Sequence, residues 1–163
     1  MGGRTVPVFS FSDTQVNVYV PDEVGNGSRS VVVTLGGDVI AADVVTVAKS
    51  NPAIFTVPQN GAGEAIALLA SGFQYSKGPF PAKTNNQRSV IVIFGTGWRK
   101  DLPASVKMGG RAAVVQYAGA SGQFPGLDQI NVEIPEGSAG ASTIVVTTAS
   151  GLTSRNDVVV TIR

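Results

Sequence analysis

The chain has 163 residues, which is enough for one large domain or for two small ones. Its 12 Lys and Arg nearly balance its 11 Asp and Glu, and this balance leaves no field of a single sign to attract nucleic acid or an anionic membrane. Because the sequence contains no Cys and no His, it excludes a disulfide framework, the usual zinc sites and a His-dependent nucleophile.

The rest of the composition predicts an all-β protein. Twenty glycines and nine prolines supply turns, while abundant Val and Thr fit the pleat of a strand. No apolar run approaches the roughly 20 residues that cross a bilayer. The N-terminus shows no basic stretch followed by an apolar run, and we therefore expect any export signal to lie outside this sequence.

Residues 1–48 are predicted to form short strands joined by tight turns. Apolar and polar residues alternate from 15 to 20, which predicts a strand with one packed face and one solvated face. Pro21 ends this strand, because proline has no N–H for a ladder. Two further strands and their turn are predicted at 30–34, 43–48 and Gly36-Gly37.

Residues 49–88 are predicted to bridge two units. The apolar runs 53–57 and 64–70 have strand character. The remainder, 71–87, is rich in Gly, Pro, Lys, Asn and Ser, and it is predicted to be either an ordered loop or a mobile insertion. Its aromatic residues are Phe73, Tyr75 and Phe80, which are expected either to pack over an uncovered core or to contact a ligand or partner.

Residues 89–163 are predicted to form a complete unit. Its strands are predicted at 89–97, 104–108, 129–134, 142–148 and 157–162, with turns at Gly109-Gly110 and Ser150-Gly151. Trp98 follows the first of these strands, and we expect it to cover one end of this unit with its N–H at the rim.

The two units are related by an internal duplication. Twelve residues of the first unit recur 114 positions later without a gap. They are Gln15, Asn17, Val18, Pro21, Ser28, Val31, Val32, Thr34, Gly37, Asp43, Val44 and Val45. Gly2-Gly3-Arg4 returns as Gly109-Gly110-Arg111, 107 positions later, which predicts a loop longer by 7 residues in the second copy, around 119–127.

The duplication predicts that the first unit is incomplete. Met1 matches Met108, and counterparts of 89–97 and 104–108 are therefore missing from residues 1–48. A sandwich without its opening strands has an open edge and an uncovered core. Three explanations remain: a sequence trimmed short of the domain boundary, patching by residues 53–70, or a strand from another chain. The third would build filaments if it repeated head to tail.

Residues 89–163 resemble an IPT/TIG domain, which has an immunoglobulin-like fold. The likeness is carried by Gly95-Thr96-Gly97, by the V-x-x-G-G turn ending at Gly110, by Gln129-Ile130-Asn131, by Ile134-Pro135 and by the closing segment 154–157. The resemblance implies two immunoglobulin-like β-sandwich units, the first of which lacks its opening strands.

The chain as a whole is similar to the two-repeat C-terminal β module of large secreted proteins of Acidobacteria. Pro52-Ala53-Ile54-Phe55-Thr56 and the stretch 61–66 carry this likeness. The sequence departs from that module in the missing strands of the first repeat and in the segment after Ile66. The likeness implies export and attachment to a larger assembly, and it brings no catalytic residue with it.

These observations favour a non-catalytic, secreted or cell-surface structural or adhesive module. We expect it to act without cofactor or metal, through exposed sheet edges that bind protein partners or copies of itself. The alternative is a carbohydrate-binding accessory module of an extracellular enzyme, because exposed rings suit sugar faces. The candidate contacts for a ligand or partner are Phe73, Tyr75, Phe80 and Trp98.

Overall fold

The computed structural model of the chain describes residues 1–71 and 74–163, and it divides into two compact units, Met1–Lys49 and Ser50–Arg163. Strands hold 52 % of the residues, and the described part of the chain contains no α-helix, which confirms the predicted all-β class. This division places the predicted bridge 49–88 almost entirely in the second unit. Lys49 ends the first unit, and residues 50–88 belong to the second.

The first unit consists of two hairpins. Its strands are β1 (Val8–Phe11), β2 (Val16–Val18), β3 (Gly27–Leu35) and β4 (Asp38–Val47). β1 pairs only with β2 and β3 only with β4, both antiparallel, and each sheet therefore has two strands. A single 3-10 turn, Asp22–Val24, joins the hairpins. Within Met1–Lys49, Val24 is the one buried side chain.

In its described residues, the second unit contains thirteen strands around one core. They are β5 (Ala53–Ile54), β6 (Gly63–Glu64), β7 (Ala67–Ser71), β8 (Gln74–Ser76), β9 (Lys83–Thr84), β10 (Gln87–Arg88), β11 (Val90–Thr96), β12 (Ser105–Met108), β13 (Arg111–Ala113), β14 (Val115–Ala120), β15 (Asp128–Glu133), β16 (Gly140–Thr147) and β17 (Val158–Ile162). One sheet has the order β14-β15-β11-β7-β8, with β5 also on β11, and the other has the order β13-β12-β16-β17-β6. β9 and β10 form a separate hairpin.

The two larger sheets of the second unit share a dry core. β11 and β15 contribute Ile91, Ile93, Ile130 and Val132 from one side, and β12 and β16 contribute side chains such as Val106 from the other. β11 lies in the middle of its sheet, paired with β15 on one edge and with β7 and β5 on the other. The predicted strand 89–97 is therefore confirmed as the central strand of this sheet.

The glycines that end β11 are required by close backbone contacts. A Cβ on Gly95 would lie 2.3 Å from the carbonyl oxygen of Ala53, and one on Gly97 would lie 2.1 Å from that of Asn51. Gly97 also has a φ of 85°, which favours glycine. The segment that contains β5 thus packs directly on the end of β11.

The apolar runs predicted in the bridge form strands of the second unit. Ala53–Ile54 and Ala67–Ser71 pair with β11, and Gly63–Glu64 runs parallel to β17. Residues 53–70 therefore do not patch the first unit, which was one of the three explanations for its open edge. They belong to the sheets of the second unit. The predicted long loop 71–87 contains β8, β9 and the start of β10 in its described part.

The predicted duplication recurs in the pairing of the strands. In β1 and β2, Val8 pairs with Val18 and Phe11 with Val16, and a bulge follows Val8. In β14 and β15, the matching pairs are Val115 with Val132 and Ala118 with Ile130, and the bulge follows Val115. The register of β3 on β4 likewise matches that of β16 on β17, with Ser28 opposite Thr46 and Ser142 opposite Val160.

Turns and side-chain bonds repeat as well. Gly2 and Gly3 have φ angles of 53° and 77°, and Gly109 and Gly110 have 55° and 76°. The amide of Gln15 donates to the Asn17 side chain at 2.6 Å, as that of Gln129 does to Asn131 at 2.8 Å. These polar pairs therefore belong to the duplicated strand structure. The loop before β15, residues 121–127, carries the predicted extra length.

One pair of equivalent valines tests the difference in packing between the units. Val132→Ala should lower the free energy of unfolding of the second unit by about 2 kcal/mol, because it removes buried carbon and leaves a cavity. Val18→Ala should leave that unit unchanged, since Val18 belongs to the first unit and is partly exposed. Trp98 is the only Trp, and its fluorescence during urea unfolding reports the second unit. Equal shifts for both variants would contradict this assignment.

Candidate functional site

The candidate site is the apolar face that the first unit leaves uncovered. Val16, Val18 and Val20 of the first unit are 41 %, 37 % and 36 % exposed. Their counterparts in the second unit, Ile130, Val132 and Ile134, are 0 %, 0 % and 1 % exposed. The alternation from 15 to 20 predicted a packed face, and the structure corrects this for the first unit, where the same pattern remains open to solvent.

Both hairpins carry uncovered apolar residues, and we call these residues together the acceptor face. It comprises the large exposed apolar residues whose counterparts in the second unit lie in or against the core: Val8, Phe11, Val16, Val18, Val20, Val32 and Val44. Val32 and Val44 are 50 % and 62 % exposed, whereas Val146 and Val158 are 0 % and 1 % exposed. These residues follow the sequence pattern of a core but are exposed to solvent. An exposed apolar surface of this kind is typical of a binding surface.

The second unit shows which strands cover the equivalent surface. Ile91 of β11 lies opposite Val132, and Ile93 lies opposite Ile130. On the other sheet, Val106 of β12 lies opposite Val146. Residues 1–49 contain no strand in the position of β11 or of β12. The acceptor face is therefore open because its two covering strands have no counterpart within the first unit.

β2 presents unpaired backbone groups at this opening. The Tyr19 N–H donates to the Pro7 carbonyl at 3.0 Å, as the Glu133 N–H does to Val114 at 2.9 Å. Because successive N–H groups alternate along a strand, those of Val16 and Val18 point to the opposite edge. In the second unit that edge of β15 is the one that β11 occupies. The edge of β2 thus offers both hydrogen bonds and an apolar surface.

β2 and most of β3 lack the charged side chains that would oppose pairing. Natural edge strands are commonly guarded by charged side chains or by inward-pointing charges. The segments 14–20 and 30–37, which contain β2 and most of β3, have no charged residue. Their composition therefore permits another strand to approach.

Arg29 braces the first unit at the start of β3. Its guanidinium donates to the carbonyl oxygens of Val24 at 2.7 Å and Ser28 at 3.0 Å, and to that of Asn26. Three carbonyl acceptors on one side chain tie the 3-10 turn to β3. This polar brace keeps the hairpin in place where apolar packing is scarce.

The predicted aromatic contacts lie elsewhere. Phe80 and Trp98 are 2 % and 0 % exposed and belong to the core of the second unit, so neither of these two rings is available to a sugar face. The Trp98 N–H reaches the Gln129 carbonyl at 3.5 Å. Phe73 lies outside the described residues, as does the side chain of Tyr75. The four candidates are thus not brought together on one described surface.

Two buried carboxylates were missed by sequence reasoning. Asp128 accepts from the backbone N–H of Trp98 at 2.9 Å and pairs with the Arg99 side chain. Asp101 accepts from Ser150. Both carboxylates hold loops against strand ends. For Asp128, the available signal in the sequence was its position directly before the predicted strand 129–134. Among the described residues, no group of three or more metal-ligating acidic side chains occurs.

Comparisons with protein-family models, with curated protein sequences and with solved structures returned no match to this chain. No helix in the described ranges is long and apolar enough to span a membrane.

Hydrogen exchange tests the open edge of β2. The amides of Val16 and Val18 should exchange at least about 100-fold faster than those of Ile130 and Val132, because only the latter are bonded to a neighbouring strand and buried. NMR measures the exchange rates of these amides. The Tyr19 amide, which is hydrogen-bonded to the Pro7 carbonyl, serves as the control in the same segment. Slow exchange at Val16 and Val18 would show that the edge is already occupied.

Proposed function

We propose that this chain is a non-catalytic structural or adhesive module whose first unit is completed by a β-strand from a partner polypeptide. The observation that carries the proposal is the contrast between Val16 and Val18 and their buried counterparts Ile130 and Val132. The same strand pattern and the same register occur in the hairpins of both units, and the first unit lacks the further strands that flank them in the second. A strand added to a sheet edge supplies main-chain hydrogen bonds and apolar burial together.

The energetics favour an added strand. A sheet of two strands is marginal in water, and three or more strands with a covered face are needed for independent stability. Both sheets of the first unit have two strands. Complete burial of a valine that is about two-fifths exposed is worth roughly 0.5–1 kcal/mol, and several such residues line the acceptor face.

The partner strand is proposed to come from another polypeptide and not from a second copy of this chain. The strands that would fit, β11 and β12, are central in their own unit, where Ile91 and Met108 are fully buried. Lending them would open the core of the donor copy. Filaments built from copies are therefore an outcome to be tested, not the assembly that we propose.

The setting of this function is also proposed. The likeness to secreted two-repeat modules supports a place outside the cell or on its surface, attached to a larger assembly, and it supports an immunoglobulin-like arrangement of each unit. The two-sheet core of the second unit and its duplicated hairpins are consistent with that arrangement. Fold and likeness alone do not fix a partner.

A selection that assumes no donor sequence tests strand acceptance. Random peptides of about 10 residues, displayed and selected on the immobilised full chain, should yield binders that adopt an extended conformation. Val18→Lys should weaken these binders at least about 10-fold, because a charge at the centre of the acceptor face opposes burial. The matched control is Val45→Lys: Val45 is 38 % exposed, close to the 37 % of Val18, but lies outside the acceptor face.

Folding of the variants is checked independently. NMR spectra of Val18→Lys should retain the β3–β4 signals. The milder Val18→Thr should weaken peptide binding by an amount between that of the original chain and that of Val18→Lys. The proposal fails if no peptide is selected, or if Val18→Lys and Val45→Lys weaken binding equally. Concentration-dependent assembly of the chain alone, measured by sedimentation velocity and abolished by Val18→Lys, would instead identify a second copy as the occupant.

A further inference from the structure

We infer that the strand accepted by β2 runs antiparallel to it and carries large aliphatic residues at two positions separated by one residue, facing Val18 and Val16. This inference rests on the proposed function and names the chemistry of its partner: an uncharged, extended aliphatic-x-aliphatic segment. The duplicated second unit supplies the template, because it shows the same hairpin with its covering strand in place.

The register follows from the pairs that the template contains. In the second unit, β11 is antiparallel to β15, with Ile91 opposite Val132 and Ile93 opposite Ile130. Val132 and Ile130 correspond to Val18 and Val16, since the hairpins share their pairing and their bulge. A strand bound to β2 therefore places its first aliphatic residue opposite Val18 and its second opposite Val16.

The size of these residues is set by the surface they must cover. Ile91 and Ile93 are fully buried against both sheets in the second unit. Val16 and Val18 are no larger than their counterparts Ile130 and Val132, and both are partly exposed. The donor strand therefore needs large aliphatic side chains at these two positions to exclude water. Small or polar side chains there would leave Val16 and Val18 exposed to solvent.

A glycine is not part of the recognised pattern. Gly95 of β11 is needed because Ala53 and Trp98 approach it, and a Cβ there would lie 2.5 Å from the Trp98 ring. Residues 1–49 contain no Trp and no counterpart of β5. The donor strand is thus free of the constraint that shapes the end of β11.

The same template extends to the second open edge. Val106 of β12 lies opposite Val146, and Met108 lies opposite Ile144. The residue of β3 that corresponds to Val146 is Val32, whereas Ser30, the counterpart of Ile144, already accepts a hydrogen bond from the Gly2 N–H at 2.8 Å. The β2 edge, where two valines face the donor, therefore defines the minimal partner.

The test uses a peptide of residues 89–97 with lysines added at its C-terminus for solubility, titrated into the full chain. We expect saturable binding, seen as slowed exchange of the Val16 and Val18 amides. Changing Ile91→Thr and Ile93→Thr together in the peptide should weaken binding at least about 10-fold, because both side chains face the acceptor. The matched peptide, with Val90→Thr and Val92→Thr, should bind within about 3-fold of the original.

Orientation is measured with spin labels on the peptide. A label at the residue 89 end should broaden signals near Tyr19, and a label at the residue 97 end should broaden those near Thr14. Val18→Lys in the chain should abolish both effects, and Val45→Lys should preserve them. Signals of β15 should be unaffected, since β11 already occupies that edge.

The results separate this inference from the proposed function. Two results together overturn the inference and leave the proposed function standing. The first is that peptides selected from the random library bind the acceptor face but lack the paired aliphatic residues. The second is that the 89–97 peptide does not bind. Parallel binding, or equal weakening by the two peptide variants, also overturns it. If no extended peptide of any sequence binds the acceptor face, both fail.

Discussion

A β-hairpin cannot bury its own apolar face, because two strands do not cover enough surface to exclude water. In the second unit, β11 and β12 overcome this limit: they widen each sheet and place Ile91, Ile93 and Val106 over the facing hairpins. In the first unit the same two hairpins stand without such strands, and Val24 is its one buried side chain. The exposure of the first unit's apolar residues follows from this one difference.

The duplication separates local from long-range causes of structure. The turns, the bulge and the register are the same in both copies, with Gly2-Gly3 and Gly109-Gly110 in nearly the same conformation. Those features depend on residues that are close in sequence. Burial differs completely between the copies, since it depends on strands that are distant in sequence. Hairpin geometry therefore survives where the core does not.

The same distinction explains what could be predicted. Alternation and turn residues predicted the strands at 30–34, 89–97 and 142–148, and the constant spacing of the repeat predicted the missing strands. Alternation over 15–20 wrongly predicted a packed face in the first unit, because periodicity shows which side is apolar and not whether anything covers it. Apolar runs at 53–57 and 64–70 showed strand character but not their partners, which lie on β11 and β17. Phe80 was predicted to be a candidate contact, yet it packs in the core, since an aromatic in a Gly- and Pro-rich segment carries no signal of its burial.

Residues 1–49 hold no counterparts of β11 and β12, and supplying these strands within one chain tests most directly whether they would cover the first unit. A second copy of residues 89–107, joined ahead of Met1, would restore the spacing that leads from β12 into Gly109-Gly110. Hydrogen exchange at the Val16 and Val18 amides is the measurement. We expect it to slow at least about 100-fold relative to the original chain, with the added segment paired to β2. Exchange that remains fast while the added segment stays unpaired would show that the first unit is not an acceptor of strands.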